Sequence, residues 1–371
     1  MIYDVAIIGA GIAGASVAAE LDPRLSVLLI EAEDQPGYHA TGRSAAFWDE
    51  CYGGPDIQPL TSASGPFLSQ PEPDFAPVSF LKRRGVLYVG ETSDRVSLAA
   101  FHDQFSAQGV QLNWLEQSEI AVKIPGVKPR WTVGVFGPGC SDIDVSALHQ
   151  AYLKRARKNG VVPLLRSRVT GLRHAAGLWS ISAGGAVVEA RLIVNAAGAW
   201  ADDIARLAGV MPLGHQAYRR TVAQVRTHPP APDALPLVIH HGGKFYFKPE
   251  PGGRIWLSPH DETPHLPGDV AAEEFDVATA IDRLAGVTDW TVDAVERRWA
   301  GLRSFAPDRR PVYGHDPRNS GFFWCTGQGG FGIQTSPAAS KLCAALIEQR
   351  VPDPVLAGID PARFAPDRFA L

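Results

Sequence analysis

Apolar residues in this chain first appear as unbroken runs, at 5–8 and 26–30, and again within 190–195 and 321–326. Such runs are the mark of parallel strands buried on both faces, since an exposed face would alternate with polar residues. The runs at 5–8, 190–195 and 321–326 each lead into a glycine-bearing turn followed by a helical stretch. Ala147 and Ala151, and Leu148 and Tyr152, recur at helical spacing within 146–158, and Gly160 ends that helix. Further helices are expected at 94–108, 200–207, 276–284 and 333–348, and further strands at 85–90, 161–165, 168–173 and 179–182. From about 212 to 300 the texture changes. Short strands at 218–226, 237–241, 244–248 and 254–257, separated by Pro and Gly, predict an antiparallel sheet. Residues 51–79 read as a helix-bearing surface excursion and 351–371 as a tail packed on the surface.

The first run carries the most specific signal. Gly9, Gly11 and Gly14 follow it at the spacing G-x-G-x-x-G. Gly9 suits the tight turn, Gly11 lets the backbone approach a pyrophosphate at a helix N-terminus, and Gly14 lets that helix lie on the strand. The second run ends in Glu31, twenty residues after Gly11, where a carboxylate accepts from a ribose diol. Together these predict a dinucleotide with an unphosphorylated adenosine ribose. Segment 35–45 reads as a loop opening a small-residue helix that Thr41 and Ser44 cap, with a second set of amides for an anion.

Composition narrows the class without choosing a function. A chain of 371 residues exceeds the usual single core, so two domains are expected. With 45% apolar and 20% charged residues it suits a globular protein, and a net charge of −4 gives no reason to expect nucleic acid or an anionic membrane as partner. No basic n-region opens the chain and no run of about 18 apolar residues occurs, so neither a signal peptide nor a spanning helix is expected. Cys51, Cys140, Cys325 and Cys343 lack metal-site spacing, which favours buried thiols over disulfides or a metal centre.

Several segments together resemble the D-amino-acid oxidase family of FAD-dependent amine oxidoreductases, and within it the D-arginine dehydrogenases most. They are Gly37-Tyr38-His39-Ala40-Thr41-Gly42-Arg43-Ser44-Ala45-Ala46, Asp142-Ile143-Asp144 with Ala147-Leu148-His149-Gln150, and Val194-Asn195-Ala196-Ala197-Gly198-Ala199-Trp200. Phe245-Tyr246-Phe247-Lys248-Pro249, Trp299-Ala300-Gly301-Leu302-Arg303-Ser304-Phe305 and Gln328-Gly329-Gly330-Phe331-Gly332-Ile333-Gln334-Thr335-Ser336 follow in the same order. The resemblance implies an α/β FAD-binding Rossmann domain of the glutathione-reductase type with a second α+β domain, built on a mixed antiparallel sheet. It places the FAD domain at 1–80, 140–211 and 300–371, and the substrate domain at 81–139 and 212–299.

By the same resemblance, Gly9, Gly11, Ala13 and Gly14 hold the pyrophosphate of a non-covalent FAD, and Glu31 with Ala32 the adenosine ribose. Ala40, Thr41, Gly42, Arg43, Ser44, Ala45, Ala46 and Phe47 wrap the pyrophosphate, ribityl chain and flavin edge. Val169 meets the adenine, and Ala197 and Gly198 complete the wall. Gly330, Phe331, Gly332, Ile333, Gln334 and Thr335 bring the last helix N-terminus to the flavin O2/N1 edge, where its positive end stabilises negative charge on the reduced ring. The implied chemistry is hydride removal from the α-carbon of a D-amino acid to flavin N5, giving an imine that water hydrolyses to a 2-oxo acid and ammonia.

Arg303 is the expected carboxylate clamp, since a guanidinium binds a carboxylate through two parallel bonds. Tyr246 adds a hydroxyl, Arg220 a second anchor or else a solvated pair with Arg219, Gly330 a carbonyl for the amine, and Tyr52 a lid. Where D-arginine dehydrogenases carry a histidine and a glutamate, this chain has Phe47 and a position near Gly85, leaving Asp49 or Glu50 to meet any cationic side chain. The cysteine that holds flavin covalently in sarcosine oxidases would fall near Gly301. Alternatives are an oxidase of N-methyl or cyclic amino acids and, from another class, a flavin subunit passing electrons to a partner. The electron acceptor is expected to be oxygen or a quinone of the respiratory chain. A cytoplasmic location is expected, with peripheral contact to the inner membrane left open.

Overall fold

The computed structural model describes residues 2–369. Its first sheet has eight strands, and five of them are parallel: Asn319–Thr326, Ala186–Asn195, Ile2–Ile8, Val27–Ile30 and Val162–Leu164, in that spatial order. The apolar runs are unbroken because both faces are covered. Val5, Ile7, Val27 and Leu29 pack with Tyr152 and Leu342 of helices Val145–Lys158 and Gly332–Glu348. Ala6, Ile8, Leu28 and Ile30 pack on the opposite side with Trp179, Ile181 and Ile204. Each fully buried Val, Leu or Ile contributes roughly 1.5–3 kcal/mol. The antiparallel pair Val169–Ala175 and Leu178–Ala183 joins the first half of Ala186–Asn195, and Val312–Asp316 pairs with Asn319–Thr326.

A second sheet of nine strands includes Gln216–His228, Arg254–Ser258, Tyr246–Glu250 and Leu237–His240, with Val86–Glu91 beyond them. All of its ladders are antiparallel except that between Leu237–His240 and Val86–Glu91, so the sheet is mixed. Alternation divides its side chains. Ala223, Val225, Phe247, Ile255 and Leu257 face the helix Glu274–Val287, whereas Tyr88, Val222, Ile239 and Tyr246 face Ala45 and Phe47 of the first half. Arg219 and Arg220 are split by the same period of two, and both are buried. The solvated-pair alternative therefore does not apply. Arg219 meets Asp276 of the helix and Glu273 just before it, and Arg220 turns to the other face.

Two sequence expectations fail. No helix follows the 35–45 loop: Gly42 N–H bonds Gly37 O at 2.8 Å, and Phe47–Trp48 is a short strand paired with Ser141–Ile143. Thr41 caps a different helix, accepting from Ile12 N–H at 2.9 Å and so satisfying the first turn of Ile12–Glu20 from 29 residues away. The second failure is the strand Thr291–Phe305, the longest in the fold at 15 residues and paired along Gln216–His228. Its ladder has irregularities between Gln224 and Val225 and between Arg226 and Thr227, which shift the phase of alternation and hide the strand from a period-two reading. The expected boundary at 299/300 lies inside this strand. The small sheet formed by Phe47–Trp48, Leu81–Arg83 and Ser141–Ile143 draws on segments assigned to both expected domains.

Candidate active site

A cleft of about 400 Å³ opens where the parallel strands end. Gly9 and Glu31, together with Ala197 and Gly198, follow three of those strands, and Gly330 and Gly332 follow the last. This is the place where open parallel sheets bind nucleotides. Gly9 has φ +103°, and an added Cβ would sit 2.4 Å from Ala196 O, so no side chain fits this turn. A Cβ on Gly14 would lie 1.9 Å from Gly9 O, which fixes Gly14 as the helix–strand contact. The helix Ile12–Glu20 starts at Gly11 with no acidic residue in its first turn, and neither does Gly332–Glu348 carry one. Apart from Ile12 N–H, which Thr41 takes, both have first-turn amides with no acidic side chain in the helix's own first turn. A dinucleotide fits this wall: backbone donors and absent side chains for a pyrophosphate, with a carboxylate on the adjoining strand.

Of the expected cofactor residues, Gly9, Gly11, Ala13, Glu31, Ala32, Ala40, Thr41, Arg43, Ser44, Val169, Ala197, Gly198, Gly330, Gly332 and Ile333 line the cleft. Glu31 is already engaged by backbone, accepting from Ala10 N–H at 2.9 Å and Glu33 N–H at 3.0 Å. Gly14, Gly42, Phe331 and Thr335 stand behind the wall. Gly42 approaches Gly37 O, Phe331 packs against Phe305, and Thr335 bonds Phe331 O. No cysteine lines the cleft, and Gly301 is part of its wall.

A smaller cavity of about 20 Å³ adjoins the cleft through Ser44, Arg303, Gly330 and Ile333, which border both spaces. Tyr52, Arg220, Tyr246, Arg303 and Gly330, the five residues expected to meet substrate, all line it, with Ala45, Ala46, Phe47 and Gln334. Register explains the convergence. Arg220 pairs with Gly301 and Tyr218 with Arg303 on neighbouring strands, so both arginines emerge on the same face. Arg303 is 7% exposed, and its guanidinium has one long bond of 3.3 Å, to its neighbour's carbonyl Leu302 O. Among the described residues no carboxylate forms an ion pair with it. Burial, then the Arg220 charge, holds it below the usual guanidinium range. Arg220 is anchored by Asp261 O at 2.8 Å and Glu262 Oε1 at 3.1 Å, leaving Nη1 unused.

Asp49 and Glu50 do not reach this cavity. Asp49 is buried and accepts from the Tyr88 hydroxyl and from Cys51 N–H, and Glu50 accepts from the Ser62 hydroxyl. Phe47 does line it, but Gly85 does not, and a Cβ there would meet the Phe136 ring at 2.8 Å. Sequence reasoning missed His260, whose backbone is left-handed at φ +55°. It contacts Gly243 O through Nδ1 at 2.7 Å, and its ring lies 5.7 Å from that of Tyr246. Burial, then Arg220, lowers it to about 3, so it stands neutral beside the two arginines. A lone histidine in an irregular Pro-rich stretch offers no periodic signal. Tyr38, Arg168 and Trp200 also line the cleft and were not named as cofactor residues from the sequence.

A dinucleotide cleft at the strand ends, joined to an arginine-bearing cavity under a mixed sheet, suits a dinucleotide-dependent oxidoreductase. The family model for FAD dependent oxidoreductases (DAO) matches residues 4–346, and the chain belongs to that family. It is an FAD-dependent oxidoreductase. Hydrogen cyanide synthase subunit HcnC of Pseudomonas aeruginosa is 26% identical over 307 residues, spanning 78% of this chain and 69% of that one. Glycine oxidase from Geobacillus kaustophilus superposes with TM-score 0.83 at 23% identity, covering 98% of each chain. L-proline dehydrogenase from P. horikoshii superposes with TM-score 0.85 at 19% identity, covering 99% of this chain and 98% of that one. No helix among the described residues is long and apolar enough to cross a membrane.

Proposed function

We propose that the chain oxidises the Cα–N bond of a D-amino acid, with the substrate carboxylate held by Arg303. The observation that carries this reading is a buried guanidinium, unpaired by any described carboxylate, in the wall of a cavity that adjoins the cofactor cleft. A buried charge needs a partner, and a planar fork is best satisfied by a carboxylate. Tyr246 and Arg220 Nη1 stand on the same cavity and add donors to that anion. The Gly330 carbonyl is an acceptor for the amine, and Tyr52 covers the space. FAD, when bound, supplies the two-electron acceptor. No histidine, lysine or carboxylate lines the small cavity, so the residues hold the substrate in one orientation and do not take its proton. Two positive arginines favour loss of the ammonium proton to water before oxidation. The imino acid is then hydrolysed to a 2-oxo acid and ammonia.

A second reading, an N-methyl or cyclic amino acid, is favoured by the Phe47, Tyr52 and Tyr246 rings, which suit a substrate with apolar groups on nitrogen. A guanidinium side chain is disfavoured, because no carboxylate faces the cavity to receive it. An electron-passing subunit without its own substrate would leave Arg303 without an anion.

The test is anaerobic flavin bleaching with matched amino acids and decarboxylated amines, of D, L and N-methyl kinds. Arg303→Ala should lose roughly 2–5 kcal/mol of transition-state stabilisation on the acids, the range for truncating a buried charge pair. Arg303→Lys should recover only part of it, since it keeps the charge and loses the fork. Amines without a carboxylate should be poor for the parent and no worse for either variant. An equal loss on acids and amines would assign Arg303 to the flavin or the fold instead.

A further inference from the structure

The segment that leaves the edge strand Thr263–His265 and enters the helix Glu274–Val287 does not stay with its own sheet. It crosses to the dinucleotide half, where Gly268 and Val270 form part of the cleft wall. Asp269 stands between them and is gripped from the far side. Arg43 Nη2 meets Asp269 Oδ1 at 2.6 Å, and the Tyr38 hydroxyl donates to Asp269 Oδ2 at 3.1 Å. The same guanidinium donates through Nη1 to Val270 O at 2.9 Å and lies over the Tyr38 ring. Val270 is buried with Ala217, Ala300 and Leu302, and Ala199 of the dinucleotide half packs against that cluster.

We infer that residues 266–272 are a strap of the cofactor site, and that Asp269, through Arg43 and Tyr38, is a positioning residue that latches it across the bound FAD. Such a cleft releases its occupant only as fast as the cover opens. The Asp269 side chain is 57% exposed, so its ion pair is screened by salt and sets a modest barrier. Val270 holds the strap by burial, which salt does not weaken. The two contacts thus have different signatures.

The inference rests on FAD as the cofactor and not on the identity of the substrate, so its test uses none. FAD release from the holoenzyme is followed by recovery of flavin fluorescence after dilution. At low salt, Asp269→Asn should release FAD roughly two- to five-fold faster than the parent, the scale of an exposed ion pair. About 1 M salt, where the Debye length falls to about 3 Å, should accelerate the parent by a similar factor and leave the variant unchanged. Val270→Ala should release faster at both salts. Parent-like rates in both variants, or an Asp269→Asn protein that keeps the parent's salt response, would overturn the strap. Release of FMN in place of FAD would overturn the cofactor reading on which it stands.

Discussion

Burial raises the Asp49 carboxyl to about 6, although hydrogen bonds from the Tyr88 hydroxyl and Cys51 N–H favour its ionised form. Its folded value is therefore above its unfolded one. The folded chain binds the proton more tightly between about pH 4 and about pH 6, so this residue lowers stability as pH rises through that window. Asp49→Asn keeps an oxygen for Tyr88 and removes the ionisation. Its stability relative to the parent should improve from about pH 4 upward and level off above about pH 6, with a ceiling of about 3 kcal/mol. Urea melts across that range measure it directly. A variant whose curve stays parallel to the parent's would mean that Asp49 is not the group that titrates. Phe47 lines the small cavity, whereas Asp49, just past the strand Phe47–Trp48, is tied to Tyr88 and Cys51 in the core.

At the scale of elements, the helix Ile12–Glu20 rests on the turn after the first strand through the bare face of Gly14. Gly14→Ala forces a carbon to within 1.9 Å of a backbone oxygen, so the helix must lift. Overpacking of this kind costs roughly 1–3 kcal/mol, and here it would also displace the amides proposed to meet the pyrophosphate. The expected outcome is a lower melting temperature together with colourless protein. A yellow variant of parental stability would show that the turn yields without loss. Such elements were legible in the sequence because their signals are local: an unbroken run, three glycines, a terminal acid. Thr291–Phe305 was not legible as a strand, because its two ladder irregularities leave charged residues out of phase, with Glu296 taking up Arg226 and Arg254. Arg303 on that strand was found only through resemblance. The helix expected after Thr41 failed for a different reason. Its capping oxygen serves Ile12, 29 residues earlier, and nothing local in the sequence reveals a cap donated across that distance.

For the whole molecule, FAD seated in the cleft would be a structural joint as well as a reagent. The cleft takes Gly9, Glu31 and Gly330 from the first sheet, and Val270, Gly301 and Arg303 from the second sheet and its proposed strap, so FAD there would bind the folded arrangement and not the unfolded chain. Stability should then rise with free FAD, by about 2.7 kcal/mol when its concentration is 100 times the dissociation constant. Glu31 decides how much of this gain survives. Its carboxylate accepts from Ala10 and Glu33 amides while lining the cleft, which leaves lone pairs for a ribose diol. Removing a charged hydrogen bond costs roughly 1.5–3 kcal/mol, a roughly 10- to 150-fold loss of FAD affinity. At the FAD concentration just given, a tenfold loss would leave a gain of only about 1.4 kcal/mol in Glu31→Ala. Asp49→Asn is the comparison, because it alters stability away from the cleft and should shift apo and holo protein alike. Denaturant melts of the three proteins with and without added FAD separate the cases. If Glu31→Ala loses the same stability in both states and keeps the full FAD-dependent gain, Glu31 serves the Ala10 and Glu33 amides alone. The ribose would then be held elsewhere along the cleft.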